Sequence, residues 1–194
     1  MTMDAELLPR SVDHLLDALR TVRPCALARP TPCPLWTLEL LLQHLAGSLE
    51  TFTGAVCRGV VDPRGRAPDP GVPTVARVAW AALRLRAVHT RTGLDEGLLV
   101  VADHHPPLPL PMPLLVLTAA LEVTAHAWDI GRATGAARPI PEDLAAALLP
   151  VAERLVTAAE RPSLFGLALP HPPGGRSGDR LLAVLGRGDP AMIA

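Results

Sequence analysis

Leu114-Leu-Val-Leu-Thr-Ala-Ala-Leu-Glu122-Val-Thr-Ala-His126-Ala-Trp128-Asp129-Ile-Gly-Arg132-Ala-Thr134-Gly135 is the stretch that decides the fold. Nearly every position is apolar or small, and the charged ones recur at helical spacing. Measured from Thr118 at 100° per residue, Glu122 falls at about 40°, Asp129 at about 20°, His126 at about 80° and Arg132 at about −40°. A helix that is apolar around most of its circumference is a buried one. This segment therefore belongs at the centre of a helical bundle. Its one charged stripe is either its only solvent face or the wall of an internal polar site. Pro113 lies near the helix start and Gly135 stops it.

Helical periodicity recurs on both sides of this segment. Residues 4–22 bring Leu7, Leu15, Leu16 and Leu19 to near-helical spacing, with Pro9 in the early turns. Thr37 can cap a second helix running to about Arg58, which a Pro- and Gly-rich loop at 62–73 ends. Residues 74–91 read as a third helix, with Val75, Val78, Ala79, Ala82 and Leu85 among its apolar positions. Residues 98–102 form a short run that could be extended. They lead through His104 and His105, expected to point apart into solvent, to a Pro-rich tract at 106–113. That tract is expected to be polyproline-like and rigid. A further helix starts at Pro141-Glu142-Asp143 and runs to about Glu160, and residues 179–185 make a short last one. There is no internal repeat. The expected fold is all-α, a four-helix bundle with short additional C-terminal helices, in one domain over residues 1–194.

Composition narrows the function classes. With 49% hydrophobic and 19% charged residues among 194, the chain can bury a real core. A net charge of −1 with scattered signs leaves no nucleic-acid footprint. Three tryptophans and two phenylalanines are too few for a base-stacking platform. Every basic residue is Arg, which excludes a Lys nucleophile or Schiff base. Cys25, Cys33 and Cys57 match no zinc module or disulfide framework, so a reducing cytosol is expected. The N-terminus carries acids where a signal peptide carries bases. The longest apolar candidate span, residues 114–130, is interrupted by Glu122, His126 and Asp129. The expectation is a soluble, cytoplasmic protein with a small-molecule substrate and no nucleic-acid or membrane partner. Flat apolar helix faces are compatible with a homodimer.

The candidate chemistry lies in three residues on two helices. Glu122 and His126, four apart, are stacked neighbours on one helical face. With His44 at zero on the second helix, Glu39, Gln43 and Glu50 fall at about −140°, −100° and −120°, the solvent side. Leu38, Leu42, Leu45, Leu49 and Phe52 fall between about 80° and 160°, the core side. His44 groups instead with Thr37, Leu41, Ser48, Thr51 and Ala55, a strip that reads as the lining of a cavity. If His44 faces Glu122 and His126, two imidazoles and a carboxylate converge with room for a water. That is the ligand count of a catalytic zinc-type site. The same Glu–His spacing also suits an ordinary surface pair worth a few tenths of a kcal/mol, roughly. Asp129 suits an acceptor for a metal-binding His, or equally a salt bridge to Arg132. Cys33, flanked by prolines, reads as a packed thiol, and Cys57 is as weak a nucleophile candidate. Trp36 and Trp80 read as core or as pocket wall. Ser48, Thr51 and Trp80 are pocket candidates, and no catalytic acid or base is assigned.

Four landmarks carry a resemblance: Thr31-Pro-Cys-Pro-Leu-Trp36, the helix with His44, Glu122-x3-His126-x-Trp128-Asp129-x-Gly131, and Gly178-Asp-Arg-Leu-Leu-Ala-Val-Leu-Gly-Arg187-Gly-Asp-Pro190. From the first helix to Pro190 the chain resembles the mycothiol-dependent maleylpyruvate isomerase-like group of the DinB-like metalloprotein superfamily. The resemblance implies a DinB-like four-helix bundle that holds a divalent metal, zinc above all, through His44, Glu122 and His126. It also implies a thiol-dependent (mycothiol-like) isomerase or S-transferase acting on a small electrophile. The alternatives are a non-catalytic metal- or small-molecule-binding bundle and a structural or regulatory helical protein. True isomerases of the group carry an additional C-terminal domain that contributes to the active site, for which this chain leaves no room after Pro190. Maleylpyruvate itself is therefore not the expected substrate.

Overall fold

The start of the second helix shows how sequence becomes structure here. The computed structural model describes residues 3–62, 71–92, 97–101, 108–161, 164–171 and 174–188. Thr37 caps α2 (Leu38–Arg58), its hydroxyl accepting from Leu40 N at 3.3 Å. The two preceding donors reach loop carbonyls, Leu38 N to Arg29 O and Glu39 N to Leu27 O, each at 2.9 Å. Leu41 N then begins the helical ladder on Thr37 O. The whole first turn is thus satisfied, and the loop before it is tied to the helix. At the other end Gly59 takes the left-handed conformation, φ 69°, that closes the helix.

Residues 31–36 form a turn within that tied loop. Thr31 N donates to Trp36 O, Trp36 N donates to Cys33 O, and the Thr31 hydroxyl accepts from Cys33 N. Closing the turn places Leu35 at φ 66° with its side chain 99% exposed. A leucine there carries the steric cost of the left-handed region and recovers none of it in packing.

The helices α1 (Met3–Leu19), α2, α3 (Thr74–Thr92) and α4 (Met112–Thr134) pack as a ring in the order α1, α3, α2, α4. Leu7, Leu8, Leu15, Leu38, Leu42, Leu45, Leu49, Leu85 and Ile130 are buried between them. Each such side chain contributes about 1.5–3 kcal/mol of burial. Two hydroxyls that enter this core are partnered: Thr124 donates to Ser11 Oγ, which donates to Leu7 O, both at 2.9 Å. By length and composition α4 could cross a membrane, but 78% of its most apolar stretch is buried by protein. Gly135, φ 76°, ends it, and Ala136 N returns to Gly131 O.

Beside the bundle runs a small sheet of β1 (Val60–Val61), β2 (Leu98–Val101) and β3 (Leu108–Pro111), in that order, β1 parallel and β3 antiparallel to β2. The extended run expected after residue 97 is β2. The tract expected to be polyproline-like is, over 108–111, a paired strand. The two conformations are close neighbours in backbone torsion, and an edge position tolerates the donors that Pro109 and Pro111 lack. His104 and His105 lie outside the described residues.

Three other expectations are corrected. Trp80 is 74% exposed rather than core. Leu41 and Ala55, expected to line a cavity with His44, are fully buried, so the apolar face of α2 is wider than the wheel suggests. The fifth helix, α5 (Glu142–Leu155), ends five residues early. There Thr157 Oγ1 accepts from Ala159 N and starts a separate 3-10 turn at Ala158–Glu160.

The described chain divides into two compact units, residues 1–137 and 138–194. The second holds α5 and α6 (Ser177–Val184), which pack on each other through Ser177 N to Glu142 Oε1 at 2.9 Å and the Arg180–Glu153 ion pair. Gly166 and Gly186 cross so closely that a Cβ at position 186 would lie 2.6 Å from Gly166 backbone.

Replacing Leu35 by Gly is expected to stabilise the protein by about 1 kcal/mol, since the strain is removed and no packing is lost. A chemical denaturation midpoint measured against the unsubstituted chain checks it, and an unchanged or lowered midpoint would contradict the strain argument.

Candidate metal centre

His44 from α2 and Glu122 and His126 from α4 converge. One ligand-type atom from each lies within 4.8 Å of the others. His44 Nε2 stands 3.0 Å from Glu122 Oε1, and the two imidazole rings meet edge to face, centroids 5.3 Å apart. The burial is graded across the group: His126 is 6% exposed, the Glu122 side chain 25% and the His44 side chain 39%. The charged stripe of α4 is therefore the wall of an internal polar site that opens to solvent on the His44 side.

Asp129 is fully buried and lies against this wall. Its Oδ2 is 2.9 Å from His126 Nδ1. A carboxylate oxygen accepts only, so Nδ1 carries the proton and the lone pair of His126 is left on Nε2. Of the two roles the sequence leaves open for Asp129, the structure shows the hydrogen bond to His126. Arg132 lies over the Trp128 ring, 5.7 Å from its centroid.

Whether the group suits a metal can be tested on Glu122. Its Oε1 is shut off from solvent and has no hydrogen bond of acceptable geometry, although His44 is close. Burial alone pushes its carboxyl up. The close His44 imidazole, the charge of His126 and the Ser48 hydroxyl outweigh this and hold it at about 2. A buried carboxylate oxygen left without an aligned donor, beside two imidazoles, is what a cation would satisfy. The donor set fits a divalent metal.

The pocket candidates separate. Ser48 faces Glu122. Thr51 and Trp80 instead line a cleft of about 1000 Å³ between α2 and α3, together with Glu50, Arg58, Arg77 and Arg84. The described lining of that cleft includes none of the three candidate ligands. Two residues of the 31–36 turn, Trp36 expected as core or pocket wall and Cys33 expected as a packed thiol, prove to be neighbours of the site. The Trp36 ring meets His44 edge-on, centroids 4.8 Å apart, and Cys33 Sγ lies 3.4 Å from Asp129 Oδ2. The Thr31–Trp36 motif itself was the available signal.

Comparison with known proteins agrees with this description. The family model "Mycothiol maleylpyruvate isomerase N-terminal domain" matches residues 8–131. Two uncharacterized proteins of Mycobacterium tuberculosis, from the CDC 1551 / Oshkosh and H37Rv strains, are each 30% identical over 180 residues, 92% of this chain and 94% of theirs. The crystal structure of a mycothiol-dependent maleylpyruvate isomerase bearing a His-to-Ala mutation superposes with a TM-score of 0.65 at 17% identity, covering 97% of this chain and 90% of that one. The fold is that of the isomerase. The expectation that no room remains for its C-terminal part is corrected, because the superposition takes in nearly all of that chain. This chain belongs to the mycothiol maleylpyruvate isomerase N-terminal domain family.

Acid should act on the metal-free protein through Glu122. Its folded-state value, about 2, lies below the ordinary 4.5, so its contribution is complete above pH 4.5 and is lost as pH falls toward 2. Across that window the metal-free chain is expected to lose up to about 3 kcal/mol that a Glu122→Gln variant does not lose. Denaturant midpoints of both proteins at pH 6 and pH 3 measure the difference, and parallel losses would refute it.

Proposed function

We propose that this chain is a metal-dependent enzyme that uses a low-molecular-weight thiol of the mycothiol type to isomerise a small electrophilic substrate, or that joins the thiol to it as an S-transferase. The observation that carries the reading is the buried, unaligned Glu122 Oε1 held against His44 and His126. These three residues would hold the metal, and two imidazoles with one carboxylate suit zinc. A bound divalent cation supplies the positive charge that lets a coordinating thiol lose its proton.

The chain's own residues do the rest. Asp129 fixes the His126 tautomer, Trp36 borders the His44 ring, and the solvent side of His44 leaves a path for the thiol and its electrophile. The thiolate adds to an electrophilic carbon of an unsaturated substrate. Rotation about the resulting single bond, followed by loss of the thiol, gives the isomer. Addition without elimination, completed by uptake of a proton from solvent at the adjacent carbon, gives the S-conjugate. Membership of the mycothiol maleylpyruvate isomerase N-terminal domain family supports thiol-dependent chemistry of this kind.

Elemental analysis of the purified protein is expected to find about one divalent metal per chain, as the three-residue donor set requires. Loss of that metal in His44→Ala, together with metal-dependent binding of the thiol and consumption of an electrophile, would complete the picture. Absence of metal, with stability and thiol binding indifferent to chelator, would overturn it. Metal-dependent thiol binding without turnover would make the chain a binding protein instead.

A further inference from the structure

Cys33 is one of three cysteines and the one brought to the metal centre. It sits 96 residues away from Asp129 in sequence, on a turn whose hydrogen bonds hold it in place. Thr31 Oγ1 accepts from Cys33 N at 3.2 Å and donates to Trp36 O at 3.0 Å, and Trp36 N donates to Cys33 O at 3.1 Å. Beyond the turn, Leu38 N and Glu39 N are bound to Arg29 O and Leu27 O. The thiol is therefore carried by backbone fixed to the start of the helix that also bears His44.

Cys33 Sγ and His126 Nδ1 meet the same oxygen, Asp129 Oδ2, at 3.4 and 2.9 Å. That oxygen can only accept, so both neighbours donate to it. The three side chains form a compact group, with ligand-type atoms within 4.8 Å of one another, and His126 and Asp129 are both buried. In such a setting the orientation of a carboxylate follows from the donors around it, and the orientation of a metal-binding imidazole follows from the carboxylate. Trp36, three residues on in the same turn, borders the His44 ring. One turn thus bears on both histidines, by a ring contact on His44 and through Asp129 on His126.

We propose that Cys33 is a positioning residue for the metal centre: its thiol donates to Asp129, and Asp129 in turn holds His126 in the tautomer and orientation that present Nε2 to a metal. This rests on the reading of His44, Glu122 and His126 as metal ligands, and the test separates the two. Metal affinity is measured by competition with a chromophoric chelator, using Zn²⁺ alone as probe. Cys33→Ala is expected to weaken affinity about tenfold, the lower end for a supporting residue, while Cys33→Ser keeps a donor and most of the affinity. In an Asp129→Asn background the further change Cys33→Ala is expected to add little, because its path to His126 is already broken. Unchanged affinity in Cys33→Ala, or a loss of equal size in the Asp129→Asn background, overturns the proposal.

A second readout needs no metal. ¹⁵N NMR of the His126 ring in metal-free protein is expected to show the Nδ1–H tautomer, with a shift of population toward Nε2–H in Cys33→Ala and recovery in Cys33→Ser. A parent chain that binds no zinc but shows this tautomer pattern would remove the metal reading while leaving the positioning role of Cys33 intact. A tautomer insensitive to Cys33→Ala would remove that role whatever the metal does.

Discussion

A carboxylate taken wholly out of water must have donors around it, and Asp129 is such a carboxylate. Much of the site can be read as the answer to that requirement. His126 donates from one turn earlier on the same helix, and Cys33 donates from a loop distant in sequence. Satisfying Asp129 fixes which nitrogen of His126 is free. Glu122, one turn before His126, then finds two imidazoles beside it. Two carboxylates on the inward side of a largely apolar helix would be expensive separately. Arranged as donor, acceptor and candidate ligand, each removes part of the cost of its neighbour.

How much of this the sequence disclosed depended on whether the signal was local. Thr37 marks the start of α2, and Pro113 and Gly135 bracket α4, because caps are decided by torsions and hydrogen bonds within a few residues. The 3.6-residue period of Leu7, Leu15 and Leu19 likewise gave α1. The convergence of His44 with Glu122 and His126 was legible as spacing and as a gap in the helical wheel, but spacing could not distinguish a surface pair from an internal wall. Burial made that distinction. The paired strand at 108–111 was hidden because alternating Leu and Pro reads equally as polyproline. Trp80 could be read as core or as pocket wall, and nothing local marked the α2–α3 cleft it borders. Cys33 was hidden for another reason: its significance lies in an acceptor far along the chain, and only the folded turn brings the two together.

The turn at 31–36 joins fold and site. Hydrogen bonds that satisfy the first donors of α2 also anchor the loop carrying Trp36 and Cys33. A strained Leu35 is part of the closure. The orientation of the two histidines is thus coupled to the way one helix begins, rather than set separately at each position.

The order of helices around the bundle has a consequence for synthesis. α4, apolar enough by composition to enter a membrane, is the last of the four to leave the ribosome. Its neighbours in the ring, α1 and α2, have by then both emerged, and α3, which packs on each of them, lies between. The trough formed by the first three helices can be waiting when this long apolar segment appears. Placing the apolar helix last shortens the interval in which it faces water alone.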